Sequence, residues 1–354
     1  MSKKITKTIL QFILIISLTF ISFGYTIKPN NEDTLLLEYN GPIEHLSFNT
    51  LIHFPEKALQ QNNENSTLID ETKITPYEFK KILQQLYSNN YILIKMKDLL
   101  KIENNTIITT PLLIPKNKKP LILSFENVTY KSTFKTNGEI DKIIIDNDGK
   151  FATYSTKQNI QNRIAYDNEF LPILEEFIHN NPDFSISNSK GIIFLTVNNG
   201  ILGYHINPKN NNSRHDQKRI TELIRRLTVC GWEFGSNNYE YTLDSSLSEM
   251  QFTKNINLWN KYLTPIIDSS IYYSSPYGKN IDHNQLEILK NNNFKVFFYN
   301  DFSNKLEIKN NSIFMTKKFV SGHTLRHNQD DFKELFDCKT VYDHNQRNTV
   351  YPSS

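Results

Sequence analysis

Several residue types that mark protein classes are scarce in this chain. Its 354 residues include two cysteines, Cys230 and Cys338, two tryptophans, four methionines and three alanines. Two cysteines are too few for a disulfide scaffold or a cysteine-based zinc module. Neither charge sign is in excess: 40 basic and 37 acidic residues leave +3, so no basic stripe points to nucleic acid as a partner. Long apolar runs are absent after residue 23. What is present excludes disorder: 38% hydrophobic residues, with 23 Phe and 18 Tyr, can fill a sizeable core. The 44 asparagines are scattered through periodic segments and form no low-complexity block. They read as compositional drift.

Lys3, Lys4 and Lys7 precede an apolar run over residues 9–23, and Ser22 and Gly24 are small residues suited to cleavage. A basic start followed by a run of this length reads as a secretory signal, or as an anchor if it is retained. The run is shorter than the about 20 residues a spanning helix needs. No cysteine follows it, which argues against a lipid anchor. The folded part is therefore expected to be exported, released or tethered, with membrane contact only through the N-terminus. The expected divisions are residues 1–24 as signal or anchor, 25–116 as an N-terminal segment, 117–300 as the core, and 301–354 as a C-terminal strand and helix.

A helix is expected over 75–89, where Thr75, Pro76 and Glu78 form a capping signature and Phe79, Ile82, Leu83, Leu86 and Tyr87 recur at helical spacing. A strand over 91–94 follows, then a continuous apolar strand over 121–125 of the kind buried on both faces in parallel sheets. Helices over 170–179, 216–230, 247–263 and 283–291 then alternate with strands over 191–196, 232–236, 271–274 and 294–299. Gly231 is the expected stop of the second of these helices. Strands alternating with helices predict a parallel sheet, and about seven strand–helix units favour closure into an α/β barrel. Reactive groups in such barrels sit at the C-terminal strand ends: here Glu126 and Asn127, Asn198, Asn237 and Asn238, Pro276 to Gly278, and Asp301.

The segments KPLILSFENV at 119–128, GWEFGSNNYEY at 231–241 and Pro276-Tyr277-Gly278 resemble three motifs of the polysaccharide deacetylases with the NodB homology domain (carbohydrate esterase family 4). Order and spacing are kept over about 260 residues. The resemblance implies a distorted (β/α) barrel and metal-dependent removal of acetyl groups from amino-sugar polymers such as peptidoglycan. It places the catalytic base at Glu126, and the divalent-metal ligands, an Asp and two His, at Asn127, Asn237 and Tyr241. Ser274 stands where an Arg steadies the base, and Val128 where a Gly follows the acidic pair. All three ligands are replaced by neutral groups that make a poor zinc site. No metal cofactor is expected, although the family uses one.

The leading expectation is an exported, catalytically impaired deacetylase-like protein that still holds envelope polysaccharide, with Tyr239, Tyr241, Pro276, Tyr277 and Gly278 as substrate-binding residues. An active hydrolase of C–N bonds using Glu126 with a non-standard metal site is a second reading, and a non-catalytic envelope scaffold a third. Among the histidines, His323 and His327 stand at i and i+4 without an intervening Glu, which argues against a metalloprotease helix. His205 and His53 read as hydrogen-bonded structural histidines. Arg214, Lys218, Arg219, Arg225 and Arg226 form a solvated face over the buried stripe Ile220, Leu223, Ile224 and Leu227. Cys230 and Cys338 are candidates for a pair outside the cell or for buried free thiols.

Overall fold

The computed structural model describes residues 35–60, 63–130, 138–206, 213–267 and 270–347. The basic start and apolar run at 1–24 lie outside these residues. Within them no helix is long and apolar enough to cross a membrane.

Seven parallel strands close on themselves: β1 (Glu44–Asn49), β2 (Lys119–Glu126), β3 (Ile192–Leu195), β4 (Glu233–Ser236), β5 (Tyr272–Ser274), β6 (Val296–Asn300) and β7 (Ser312–Val320). The order around the barrel is the chain order, closed where β1 lies between β7 and β2 and β2 pairs in turn with β3. Register is explicit at the seams: Asn49 opposes Glu126, Ile193 opposes Phe125, and Asn300 opposes Lys317. The strand Tyr91–Leu93 adds to the start of β2, and the strand Leu306–Lys309 forms an antiparallel hairpin with β7.

Successive side chains of a strand face opposite ways, and two apolar clusters follow from that. Leu46, Phe48, Leu121, Leu123, Phe125, Ile193, Leu195 and Phe297 pack outward against the helices. Ile122, Ile192, Phe194, Tyr272, Val296, Phe298, Ile313 and Met315 fill the other cluster, joined by Ile94, Met96, Leu99, Ile107 and Leu112 from the segment that closes the barrel at the start of the strands. Each such side chain, fully buried, is worth about 1.5–3 kcal/mol.

The longer helices are α1 (Glu64–Thr72), α2 (Pro76–Ser88), α3 (Phe170–Asn180), α4 (Ser213–Val229), α5 (Glu249–Ile267), α6 (His283–Asn291) and α7 (Gly322–His327). The expected capping box of α2 is present, with Thr75 Oγ1 accepting from Glu78 N at 3.2 Å and Glu78 Oε2 accepting from Thr75 N at 2.8 Å. Gly231 turns the chain out of α4 into β4 at φ +99°, and a Cβ there would lie 1.7 Å from the Asn188 carbonyl oxygen. Arg214, Lys218, Arg219, Arg225 and Arg226 of α4 are exposed over its buried stripe.

The barrel draws on more of the chain than residues 117–300. Staves β1 and β7 come from either side of that stretch, one from the N-terminal segment and one from the C-terminal strand and helix. β1 escaped the sequence reading because its alternate residues His45, Ser47 and Asn49 are polar, so no apolar run betrays a strand.

Candidate functional site

The apolar filling of the barrel gives way to polar side chains at the C-terminal ends of the strands. Glu126, the last residue of β2, is 2% exposed. Its Oε1 accepts from Ser274 Oγ at 2.7 Å and forms an ion pair with Lys317 Nζ, which reaches across from β7. The Lys317 side chain is fully buried and also donates to Asn300 Oδ1 at 2.7 Å. Asn237 at the end of β4 donates through Nδ2 to the Ser274 carbonyl at 2.8 Å and accepts from Asn127 N at 3.5 Å. One layer deeper, His45 Nε2 lies 2.8 Å from Ser124 Oγ. Burial holds the His45 imidazole well below its ordinary pKa, and the Lys317 ammonium pushes the same way, so His45 is neutral.

The positions that the resemblance assigns to a metal do not fit one. Asn237 uses both ends of its amide within the protein. Tyr241 is buried, and loss of solvent, followed by the negative charge of Glu126 and the Tyr277 phenol, drives its hydroxyl well above the ordinary value. It remains a neutral phenol. Asn127 offers an amide oxygen alone. Metal centres of this kind need anionic or imidazole donors, and here a buried ammonium already occupies the carboxylate beside them. Among the described residues no group of three or more His, Cys, Asp or Glu is arranged to hold a metal ion.

A second polar cluster buttresses the rim. Asp244 accepts from Asn238 Nδ2 at 2.9 Å, Tyr273 Oη at 2.9 Å and Ser275 Oγ at 2.7 Å. Burial raises its carboxyl to about 6 against the pull of these hydrogen bonds. The rim also carries left-handed backbone: Asn127, Tyr130, Asn238, Tyr241 and Tyr277 all have φ between +51° and +60°. Non-glycine residues rarely adopt this region, and such strain collects at functional sites. Gly278, at φ +66°, lies so close to Asn300 that a Cβ would come within 2.0 Å of its side chain.

The aromatic residues read as substrate-binding are not equally accessible. Tyr277 is 57% exposed, whereas Tyr239, Tyr241, Pro276 and Gly278 are buried. Tyr241 lies beneath Tyr277 with ring centroids 5.0 Å apart, so one exposed ring is backed by a buried one.

No protein-family model matches the chain, and no curated protein sequence does. Solved structures do. A Streptococcus pyogenes deacetylase, PplD, in complex with acetate is 13% identical, with a TM-score of 0.45, over 81% of this chain and 95% of its own. IcaB from Ammonifex degensii is 12% identical, with a TM-score of 0.46, over 84% and 98%. A de-N-acetylase from Aggregatibacter actinomycetemcomitans is 11% identical, with a TM-score of 0.46, over 84% and 100%.

The remaining histidines lie elsewhere. His53 Nε2 is 2.6 Å from Glu169 Oε2, a buried pair whose other oxygen caps α3 through Phe170 N at 2.7 Å. His205 is half-buried in a loop, its backbone N–H donating to Asp216 Oδ2 at 3.0 Å. His323 and His327 do share one face of α7, with rings 4.6 Å apart, and His323 Nδ1 is 2.8 Å from Glu71 Oε2. Cys230 and Cys338 are both free thiols, so the envisaged pairing is not formed. Lys317 is the residue the sequence reading missed. Its signal was present: two adjacent lysines inside the apolar strand IFMTKKFV place a charge on each face, and a buried charge needs a partner.

Proposed function

We propose that this chain is an exported deacetylase-type protein that holds an amino-sugar polymer of the cell envelope, peptidoglycan or a related glycan, without deacetylating it. The observation that carries this reading is the Lys317 ammonium paired with Glu126 in the buried centre of the barrel. A general base must be free to take a proton from water near the reacting carbon. Glu126 is instead held by an ammonium and a hydroxyl, and the three positions beside it bring neutral donors. A binding role draws support from the exposed Tyr277 ring over Tyr241 and from the strained rim, where amides and aromatic faces sit together as sugar recognition requires.

The test combines acetate release from N-acetylglucosamine oligomers, zinc content after removal of excess metal, and retention on insoluble peptidoglycan. Retention without acetate release, weakened by Tyr277→Ala, is the expected outcome. About one tightly held zinc per chain together with acetate release overturns it.

A further inference from the structure

Beside the Glu126–Lys317 centre, at the C-terminal ends of β1 and β2, lies a cavity of about 100 Å³ roofed by Leu68 and Ile69 of α1. Three of its lining side chains carry a buried oxygen with no hydrogen-bond partner: Asn49 Oδ1, Asn127 Oδ1 and Glu139 Oε2. Glu139 is 7% exposed. Its other oxygen accepts from Lys73 Nζ at 3.3 Å, and Lys73 is drawn aside by Thr50 Oγ1 at 2.7 Å. The Asn49 amide nitrogen is committed to the Thr72 carbonyl at 3.1 Å, which leaves the oxygen as its free end. Buried acceptors without donors are costly and rare in native proteins. Three around one space define what belongs there: a group made of donors.

Resting on the glycan-binding reading, we infer that this cavity takes the free ammonium of a 2-amino-2-deoxy sugar, so that the unit held there is de-N-acetylated. An ammonium brings three N–H donors and a charge that complements the carboxylate. An acetamide brings one N–H and a carbonyl oxygen that would face three acceptors. The space, about that of three waters, admits the amine and leaves the sugar ring at the entrance, near the strained rim. Lys73 offsets part of the Glu139 charge, so discrimination comes from donor count more than from net charge.

Titration calorimetry of the full chain against a glucosamine tetramer, an N-acetylglucosamine tetramer and spermine tests the inference. The glucosamine tetramer should bind at least about tenfold more tightly than its acetylated counterpart. Glu139→Gln should erase most of that preference, and Glu103→Gln on the exposed surface should leave it intact. Asn127→Asp, which adds a second carboxylate to the lining, should increase it and decides the matter if Glu139→Gln does not fold. Equal affinities for the two tetramers overturn the inference and leave glycan binding standing. Binding of neither tetramer removes both. Spermine binding as tightly as the glucosamine tetramer also overturns it, because an ammonium without a sugar would then suffice.

Discussion

Lys317 and Glu126 show how a single buried ion pair can decide what a barrel does. Each charge has left water, and their mutual attraction offsets that loss only while both are present. Lys317→Met leaves Glu126 buried and unpaired, with only the Ser274 hydroxyl as a donor. Chemical denaturation should then show a loss of about 3–5 kcal/mol, the usual cost of orphaning one partner of a buried pair. Adding Glu126→Gln should restore most of that stability, since an amide and a thioether need no counter-charge. A double variant as unstable as Lys317→Met alone would mean that Lys317 stabilises by packing and not by pairing. The same pair shows why the centre of the site was only half legible in sequence. Glu126 ends a recognisable apolar strand, and the resemblance marked it. Its partner sits in another stave far along the chain, and nothing local in IFMTKKFV says which of two adjacent lysines turns inward. Strand alternation allows either, and only the register Asn300 opposite Lys317 fixes it.

At the scale of elements, the start of α2 is both a helix cap and an anchor for the chain's far end. Glu78 closes the capping box, which sequence spacing predicted. Its two oxygens also accept from Arg347 Nε and Nη2, both at 2.7 Å, while Arg347 Nη1 reaches Asp70 Oδ1 at 2.7 Å and Nη2 the Lys73 carbonyl at 2.9 Å. The Asp343 backbone N–H adds a further hydrogen bond to Glu78 at 3.0 Å. One fully buried guanidinium thus joins the end of α1, the start of α2 and the last described turn. Arg347→Ala would strand the Glu78 carboxylate in a buried site, while Asp70 keeps its pair with Arg326 at 2.9 Å, and should cost about 3–5 kcal/mol in urea unfolding. Arg347→Lys should recover little of it, because an ammonium cannot reproduce the planar fork on Glu78 while also reaching Asp70. Full recovery by lysine would reduce the clasp to simple charge neutralisation. The cap was readable because its residues are three apart. The clasp was not, because it depends on the barrel closing and bringing β7 and its trailing helices back beside β1.

For the molecule as a whole, the count of strand–helix units foretold a closed barrel, and polar inward positions hid the stave β1. The strand-end rule also gathers the candidate residues at one place: Glu126, Asn127, Asn237, Ser274 and Tyr277 all lie at one end of the barrel. That gathering permits a test that treats the molecule as a metal site with its charges rearranged. Placing the ligands that the resemblance implies through Asn127→Asp, Asn237→His and Tyr241→His supplies an anion and two imidazoles at these strand ends. It does not remove the Lys317 ammonium from Glu126, and a divalent cation entering there would meet like charge in a medium that screens it poorly. The triple variant should therefore hold far less than one zinc per chain after dialysis, measured by elemental analysis. Adding Lys317→Met to the three should bring the content to about one, since the metal then takes over the ammonium's part as counter-charge to Glu126 and to the carboxylate introduced at position 127. Full loading of the triple variant with Lys317 intact would show that the lysine withdraws easily, and that the ligands alone separate this barrel from a metal-binding one.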